Sequence, residues 1–508
     1  MEKTGIIRQF RDYTGRVAEE CDVCVIGTGA GGAVAAKELA ERGLTVVVLE
    51  EGGYFTPRDW DGKPVRSLTT MWRDGGLTAT MGNPPVSVTL GKCIGGTTAI
   101  NSATCFRTPD AILKKWQTLL GLDNLTAENL EPFFTRVEKE IHVTTLSWDV
   151  LGNCARIIKR GCDRLGLHCR PLRHNVRECV GAGTCQFGCT DGAKQSTDIT
   201  YIPKAVAAGA RVYANCRAEK LVIRKGTVRG VRAALVDPSR GDRKAYPMEV
   251  SCRTVVVACG TLITPQFLRK SGVRNRHIGR HLQIHPAGRV CAIMKEKVEG
   301  WKGVSQGAYV DDYHDEGIAL EGIFIHPSMM LSAMPGIGKK HKELAVRLPY
   351  IAAFGIMIHD STEGRVYRWR PSRLIMSKYL IQRDDMEKFK KALAYTARIF
   401  FAAGAEKVFT GISKMPWLES MEDAERLLTM KVRPSHLEIL AFHPLGTCRM
   451  AARRDDGVVD GSGEVFGVKN LYVADGSVVP TSLGVNPQVT IMTLATYIAG
   501  GIAKKFGK

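Results

Sequence analysis

The chain of 508 residues contains no uninterrupted apolar run of the eighteen or so residues that a bilayer-spanning helix needs, so no membrane span is expected. Met1 to Glu20 is charged and lacks an apolar core, which argues against a secretory signal. The cytoplasm is the expected location, with export alongside a partner subunit left open. Internal repeats and low-complexity stretches are absent, which leaves an ordinary globular chain long enough for two or three domains. Acidic residues are few beside basic ones, 51 Asp and Glu against 71 Lys and Arg, for a net charge of +20. Such a field favours an acidic protein, an anionic membrane surface or nucleic acid. The cations are dispersed, densest from Arg269 to Arg280, and no nucleic-acid motif accompanies them, so nucleic acid is not expected. The fifteen cysteines are too irregularly spaced for a disulfide framework. Cys24, Cys252, Cys259 and Cys291 stand in apolar surroundings and read as buried thiols of a reducing compartment.

What is present begins with Val23 to Ile26, a short apolar run that enters Gly27-Thr28-Gly29-Ala30-Gly31-Gly32. An Ala-rich segment with helical spacing follows, and a second β-branched run, Thr45 to Leu49, ends in Glu50. That order is a βαβ unit carrying G-x-G-x-x-G. Gly27 serves the tight turn, Gly29 the approach of backbone to a pyrophosphate, and Gly32 the packing of helix on strand. The helix N-terminus offers free N–H groups to phosphates. Glu50 stands where a carboxylate accepts from ribose hydroxyls, which argues against a 2′-phosphate and so against NADP.

A second glycine segment, Gly91-Lys92-Cys93-Ile94-Gly95-Gly96-Thr97-Thr98-Ala99-Ile100-Asn101-Ser102, suits backbone passing close to a planar polar ring system. Three further blocks lie near the C-terminus: His443 to Met450, Leu471 to Ser477, and Asn486 to Ile491. In order and spacing these five blocks resemble the glucose-methanol-choline oxidoreductases. The resemblance runs from residue 21 to residue 505 and implies an α/β fold, α+β overall. A Rossmann-like FAD-binding domain would carry a second, mainly antiparallel substrate domain, p-hydroxybenzoate-hydroxylase-like in arrangement. It also implies that Glu50 holds the adenosine ribose, that Gly95, Gly96, Thr97 and Asn101 lie beside the isoalloxazine, and that Asp475 and Gly476 set backbone near the ribityl and pyrophosphate. His443 and Asn486 match the family's catalytic pair. Some members attach flavin through a His before the second glycine segment; residues 85–94 contain none, so non-covalent FAD is expected.

Leu-rich amphipathic runs at 111–120 and 125–140 predict helices, as does 198–208. Ala210 to Val236 alternates like a meander, Arg253 to Gly260 reads as a buried strand, and Thr264-Pro265 opens a helix. Residues 54–89 read as an irregular excursion. Strands are expected near 287–295, 320–326 and 350–359, and helices at 384–402 and 421–430. The expected domains are therefore 1–284 with 431–508 for FAD, bearing a cysteine-motif insertion near 175–195, and 285–430 for substrate.

That insertion holds Cys179, Cys185 and Cys189 at C-x5-C-x3-C with glycines between them. Three thiolates on a backbone free to wrap could converge on one inorganic centre. The segment from Gly188 to Tyr201 resembles the long-chain alcohol oxidase branch of the family, while the cysteine spacing resembles its glucose dehydrogenases, which implies a [3Fe–4S] cluster. A zinc ion would want a fourth ligand, for which His174 or Cys169 is available. Structural cysteines are the third reading.

The expected chemistry is oxidation of an alcohol by FAD. A neutral imidazole suits removal of the hydroxyl proton, which assigns His443 as general base, and Asn486 fixes the substrate oxygen by a hydrogen bond. The Met-rich stretch Pro327 to Pro335 and the apolar run Leu320 to Ile325 incline the substrate to a hydrophobic alcohol, aliphatic or alicyclic. A cluster would pass electrons singly to an acidic cytochrome or ferredoxin, to which the basic surface is suited. Oxygen as direct acceptor, a reductase or isomerase acting on steroid-like ketones, and a non-catalytic electron-transfer flavoprotein are the alternatives. Peripheral association with a membrane is a further expectation from the charge.

Overall fold

Val23 to Ile26 forms the inner end of the strand Val17–Ile26 in a computed structural model that describes residues 5–324, 326–367 and 375–508. Met1 to Thr4 of the charged N-terminal stretch and Ile325 at the end of the apolar run lie outside the described residues. Val23 to Ile26 pairs in parallel with Val46–Leu49 on one side and with Thr254 to Val257 on the other. Nearly continuous burial of these side chains fits a sheet covered on both faces.

This first sheet runs in the order Ile6–Arg8, Arg211–Tyr213, Val46–Leu49, Val17–Ile26, Arg243–Val257, Thr227–Asp237, Cys216–Arg224. Leu471–Val473 returns from the C-terminal region to pair in parallel with Val255 to Val257. Helix Gly32–Glu41 packs against Tyr201–Ala207 and Gln488–Lys505. The strand expected at 253–260 is the end of a longer one, Arg243–Val257, because the meander extends it by antiparallel pairing with Thr227–Asp237.

The second sheet runs Trp417–Leu418, Lys407–Phe409, Ala287–Ile293, Ile351–Ile358, Ile318–Gly322, Ala308–Val310, Cys169–Pro171, with every neighbour antiparallel. Helix Arg383–Ala402 lies across it and buries Phe389, Leu393, Ala397 and Phe400 at helical spacing. Two short strands from the N-terminal half join this sheet. Cys169–Pro171 covers the edge at Ala308–Val310, and Ser87–Val88 pairs with Leu440–Ala441. The stretch expected to be irregular, 54–89, therefore contains the strand Ser87–Val88 and also a helix, Pro64–Thr70, opened by a proline at its first position.

Candidate active site

A cavity of about 1400 Å³ runs between the two sheets, larger than the roughly 300–1,000 Å³ that holds one small ligand, so cofactor and substrate fit end to end. Gly27, Gly29, Glu50, Gly96, Thr97, Asn101, Asp475 and Gly476 line it, together with His443 and Asn486. Gly95 sits just behind the wall. Its φ is +96°, and a Cβ there would lie 2.7 Å from the Asp198 carboxylate, so the loop turns on a residue without a side chain.

The three fingerprint glycines differ in what a side chain would meet. At Gly27, with φ +101°, a Cβ would stand 2.2 Å from the Ala258 carbonyl oxygen. A Cβ at Gly32 would stand 2.1 Å from the Gly27 carbonyl oxygen. At Gly29 the nearest atom is the Gly96 Cα at 3.9 Å, and the Cβ would point into the cavity. Protein backbone fills the first two positions, while the third faces open space shaped for a ligand. This cradle fits a dinucleotide, with Gly29 backbone toward its phosphates.

Glu50 is buried, and its carboxylate already accepts from Thr28 N–H at 3.0 Å, Thr28 Oγ1 at 2.6 Å and Gly52 N–H at 2.9 Å. These bonds fix the carboxylate at the end of Val46–Leu49, on the cavity wall. Asp475 braces three segments, accepting from Gly260 N–H at 2.8 Å, from Thr264 Oγ1 at 2.5 Å and from Ser477 N–H at 2.8 Å. Asn101 accepts from Ala103 N–H and donates to Gln488 at the start of the last helix, and Thr97 Oγ1 accepts from Gly91 N–H.

The sequence did not single out Lys194, which is 2% exposed. Its ammonium donates to the carbonyls of Cys185 at 2.6 Å, Ala99 at 2.8 Å and Asn101 at 2.9 Å. It thus ties the cysteine loop to the glycine segment that borders the cavity. Lys194→Met should leave three buried carbonyls without a donor and lower stability by about 1–3 kcal/mol or more. Urea denaturation of the Met and Arg variants checks this, with Arg expected to recover part of the loss.

The three motif cysteines do not assemble into a metal site. Among the described residues no group of three or more His, Cys, Asp or Glu side chains is placed to hold a metal ion. Cys179 packs against an apolar cluster of Leu151, Ala155, Val304 and Ala308, whereas Cys189 Sγ accepts the Lys194 backbone N–H at 3.4 Å. Burial pushes the Cys185 thiol up, against the opposing charge of Lys194. The expectation of a [3Fe–4S] cluster on Cys179, Cys185 and Cys189, and that of zinc, find no convergent ligand set here. The three thiols lie within electrostatic reach of one another, with Cys185 and Cys189 beside the Lys194 ammonium, but do not close into a ligand set in this structure.

His443 and Asn486 do meet. Asn486 Nδ2 lies 3.4 Å from His443 Nε2 and 3.5 Å from Glu321 Oε1, long contacts of the kind that tighten around a substrate. Burial pushes His443 down to about 3, with the neighbouring His285 adding to it, so the imidazole is neutral at pH 7. Asn486 donating makes Nε2 the acceptor and leaves the ring proton on Nδ1. Asn486 Oδ1, Glu321 Oε2 and His443 Nδ1 are buried without a protein partner.

Two residues here were not read from the sequence. His285 is fully buried and accepts from the backbone N–H of Leu483 at 2.9 Å and Gly484 at 3.0 Å, fixing the turn just before Asn486. Its Nδ1 lies 3.5 Å from the His443 carbonyl oxygen, and its ring stands at 84° to that of His443. Burial pushes it to about 4, which keeps both nitrogens in these roles. The second residue, Glu321, comes from the strand Ile318–Gly322, and burial pushes it up to about 7.

A pH dependence follows. His443, at about 3, stays neutral across the range in which the protein is handled, so it contributes no limb there. Glu321 ionises near 7, and its negative charge beside Asn486 and His443 favours a proton on the imidazole. Flavin reduction should rise as pH rises through about 7, and Glu321→Gln should flatten that limb. Stopped-flow rates between pH 5 and pH 9 measure it. For stability the sign is opposite: Glu321 holds a proton in the fold that the unfolded chain has lost. Its contribution is fully present below its unfolded pKa and is lost as pH rises through about 7.

Family models match most of this architecture. Residues 22–84 match an FAD binding domain, and residues 68–287 and 363–495 match the GMC oxidoreductase models. An uncharacterized GMC-type oxidoreductase of Mycobacterium tuberculosis is 34% identical over 481 residues, covering 94% of this chain and 75% of that protein. The chain belongs to the GMC oxidoreductase family. A long-chain-alcohol oxidase of Arabidopsis thaliana is 31% identical to this GMC oxidoreductase over 519 residues, with 96% and 67% of the two chains covered. Among solved structures, pyridoxine 4-oxidase from Mesorbium loti superposes with a TM-score of 0.73 at 19% identity, covering 95% of this chain and 99% of that one. The expected FAD-binding α/β fold is thus the observed one, and FAD is the cofactor of this GMC oxidoreductase. Among the described residues no helix is long and apolar enough to cross a membrane.

Proposed function

We propose that this GMC oxidoreductase oxidises a hydrophobic alcohol, aliphatic or alicyclic, to the aldehyde or ketone. The observation that carries the reading is the His443–Asn486 pair at 3.4 Å on the wall of a cavity that also contains the FAD cradle. Beyond the pair the lining is largely apolar, with Ile323, Met329, Met330, Ile356 and Phe442. The likeness to long-chain-alcohol oxidases supports the same substrate class.

Bound FAD supplies the hydride acceptor at flavin N5. His443 Nε2, neutral and facing the cavity, takes the hydroxyl proton, and Asn486 Nδ2 donates to the substrate oxygen as negative charge builds there. Asn486 and Pro487 stand at the N-terminus of the helix Gln488–Lys505, whose positive end favours that charge. Glu321 Oε1 holds Asn486 from the other side, and His285 holds the turn that presents it.

Cys179, Cys185 and Cys189 lie within electrostatic reach of one another, and a cluster on them would pass electrons singly to a docked protein, whereas oxygen or a soluble quinone would reach the flavin directly. Two measurements test the proposal. Anaerobic bleaching of the flavin by a panel of alcohols should follow apolar character, and a preference for glucose or another polyol would reject the substrate class. Iron and acid-labile sulfide in anaerobically purified protein decide the acceptor: their presence with a low-temperature EPR signal assigns the cluster relay, and their absence assigns the direct acceptor.

A further inference from the structure

The wall of the cavity continues into a surface segment that the reaction does not need. Helix Pro327–Ser332 contributes Met329 and Met330 to the cavity lining, and Met330 and Met334 pack into an apolar cluster with Phe324, Leu348 and Phe409. The chain then turns outward, and the helix that follows keeps Leu344 against the same cluster. Ile337 is 94% exposed, and the following helix, Lys339–Arg347, buries none of its residues. Lys339, Lys340 and Lys342 are exposed, as is Val346 at 71%. Lys339, Lys342 and Val346 fall at i, i+3 and i+7, on one helix face. Two large aliphatic side chains in water beside three ammonium groups do nothing for the fold, since neither Ile337 nor Val346 packs on the core.

An apolar tip beside three lysines and one exposed acid, Glu343, carries a net positive charge and matches a surface that offers both acyl chains and negative charge. We infer that the segment Ile337–Val346 docks this enzyme on an anionic lipid surface, with Ile337 and Val346 entering the interface and Lys339, Lys340 and Lys342 meeting headgroups. Charge complementarity selects lipid: the tip adds to a net charge of +20, so a second copy of the chain would bring like charge against it. The position gives the docking a use. The segment follows directly on Met329 and Met330, so a lipophilic alcohol held in the bilayer would be met next to the cavity wall. This last step rests on the hydrophobic-alcohol reading; the docking itself does not.

Co-sedimentation of the full-length holoenzyme with phosphatidylcholine vesicles, with and without phosphatidylserine, tests it. Binding should require phosphatidylserine and weaken with salt. Lys339→Glu combined with Lys340→Glu should reduce partitioning at least about tenfold, from a contribution of roughly tenfold or less for each cation near the surface. Ile337→Glu should reduce it as well, with flavin reduction by a water-soluble alcohol unchanged in both variants. Absence of binding, or binding indifferent to these substitutions, overturns the inference. So does a concentration-dependent dimer abolished by Ile337→Glu, which would assign the tip to a second copy. Vesicle binding without oxidation of any lipophilic alcohol would overturn the substrate reading and leave the docking surface standing.

Discussion

His443→Ala should lower the rate of flavin reduction by alcohol about 10²- to 10⁴-fold, the usual cost of removing a general base, with FAD still bound. The fold should tolerate the change. His443 Nδ1 has no protein partner, and the one contact of Nε2 is with Asn486 Nδ2, which keeps Glu321 Oε1 within 3.5 Å. Truncation therefore enlarges the cavity without orphaning a buried group. On the proposed mechanism Asn486→Ala should cost less, because Asn486 would orient the substrate oxygen and take no proton. Anaerobic stopped-flow traces of the two variants with one alcohol decide the ordering. A larger loss in the Asn486 variant would reverse the two roles.

Gly29→Val should yield a folded protein that has lost its yellow colour. Gly29 has an ordinary negative φ, and its Cβ would point into open cavity with the Gly96 Cα 3.9 Å away, so neither backbone strain nor a clash within the protein opposes the side chain. What the side chain occupies is the space for the cofactor's phosphates. Affinity for FAD should fall at least about tenfold, or about 1.4 kcal/mol, while circular dichroism stays native. Gly32→Val makes the contrast, since its Cβ would stand 2.1 Å from the Gly27 carbonyl oxygen and must push helix from strand. That variant should lose the fold together with the cofactor. A Gly29→Val protein that kept full FAD content would show that the phosphates do not pass Gly29. Acid precipitation of the wild-type protein should leave the flavin in solution, as expected without a His in residues 85–94.

The cofactor half of the site was legible because its requirements are local. Gly27, Gly29 and Gly32 lie in one short loop, the first and last explained by a backbone oxygen within 2.2 Å of where a Cβ would stand and Gly29 by the open cavity before it, so spacing alone carries the information. The same holds for Gly95 and Gly96, whose left-handed backbone is written into the residue type. His443 and Asn486 are named through the resemblance of their short blocks to the GMC oxidoreductases, and the fold brings them to 3.4 Å. The βαβ order and the meander followed from hydrophobic periodicity, which is a property of neighbouring residues.

Only the tertiary structure decided the rest. Glu321 lies in Ile318–Gly322, a strand with all five residues buried, so no alternation marks which side chains face a cavity. Its rise to about 7 comes from burial among segments that meet only in the fold. His285 and Lys194 act on backbone groups that lie 198 and 95 residues away in sequence, at Leu483 and Ala99, and no pattern in the chain announces such partners. The cysteines make the same point from the other direction. A spacing of C-x5-C-x3-C states how far apart three thiols stand along the chain, but where each side chain points is set by what packs around it. Here an apolar cluster takes Cys179, and the Lys194 backbone N–H takes Cys189.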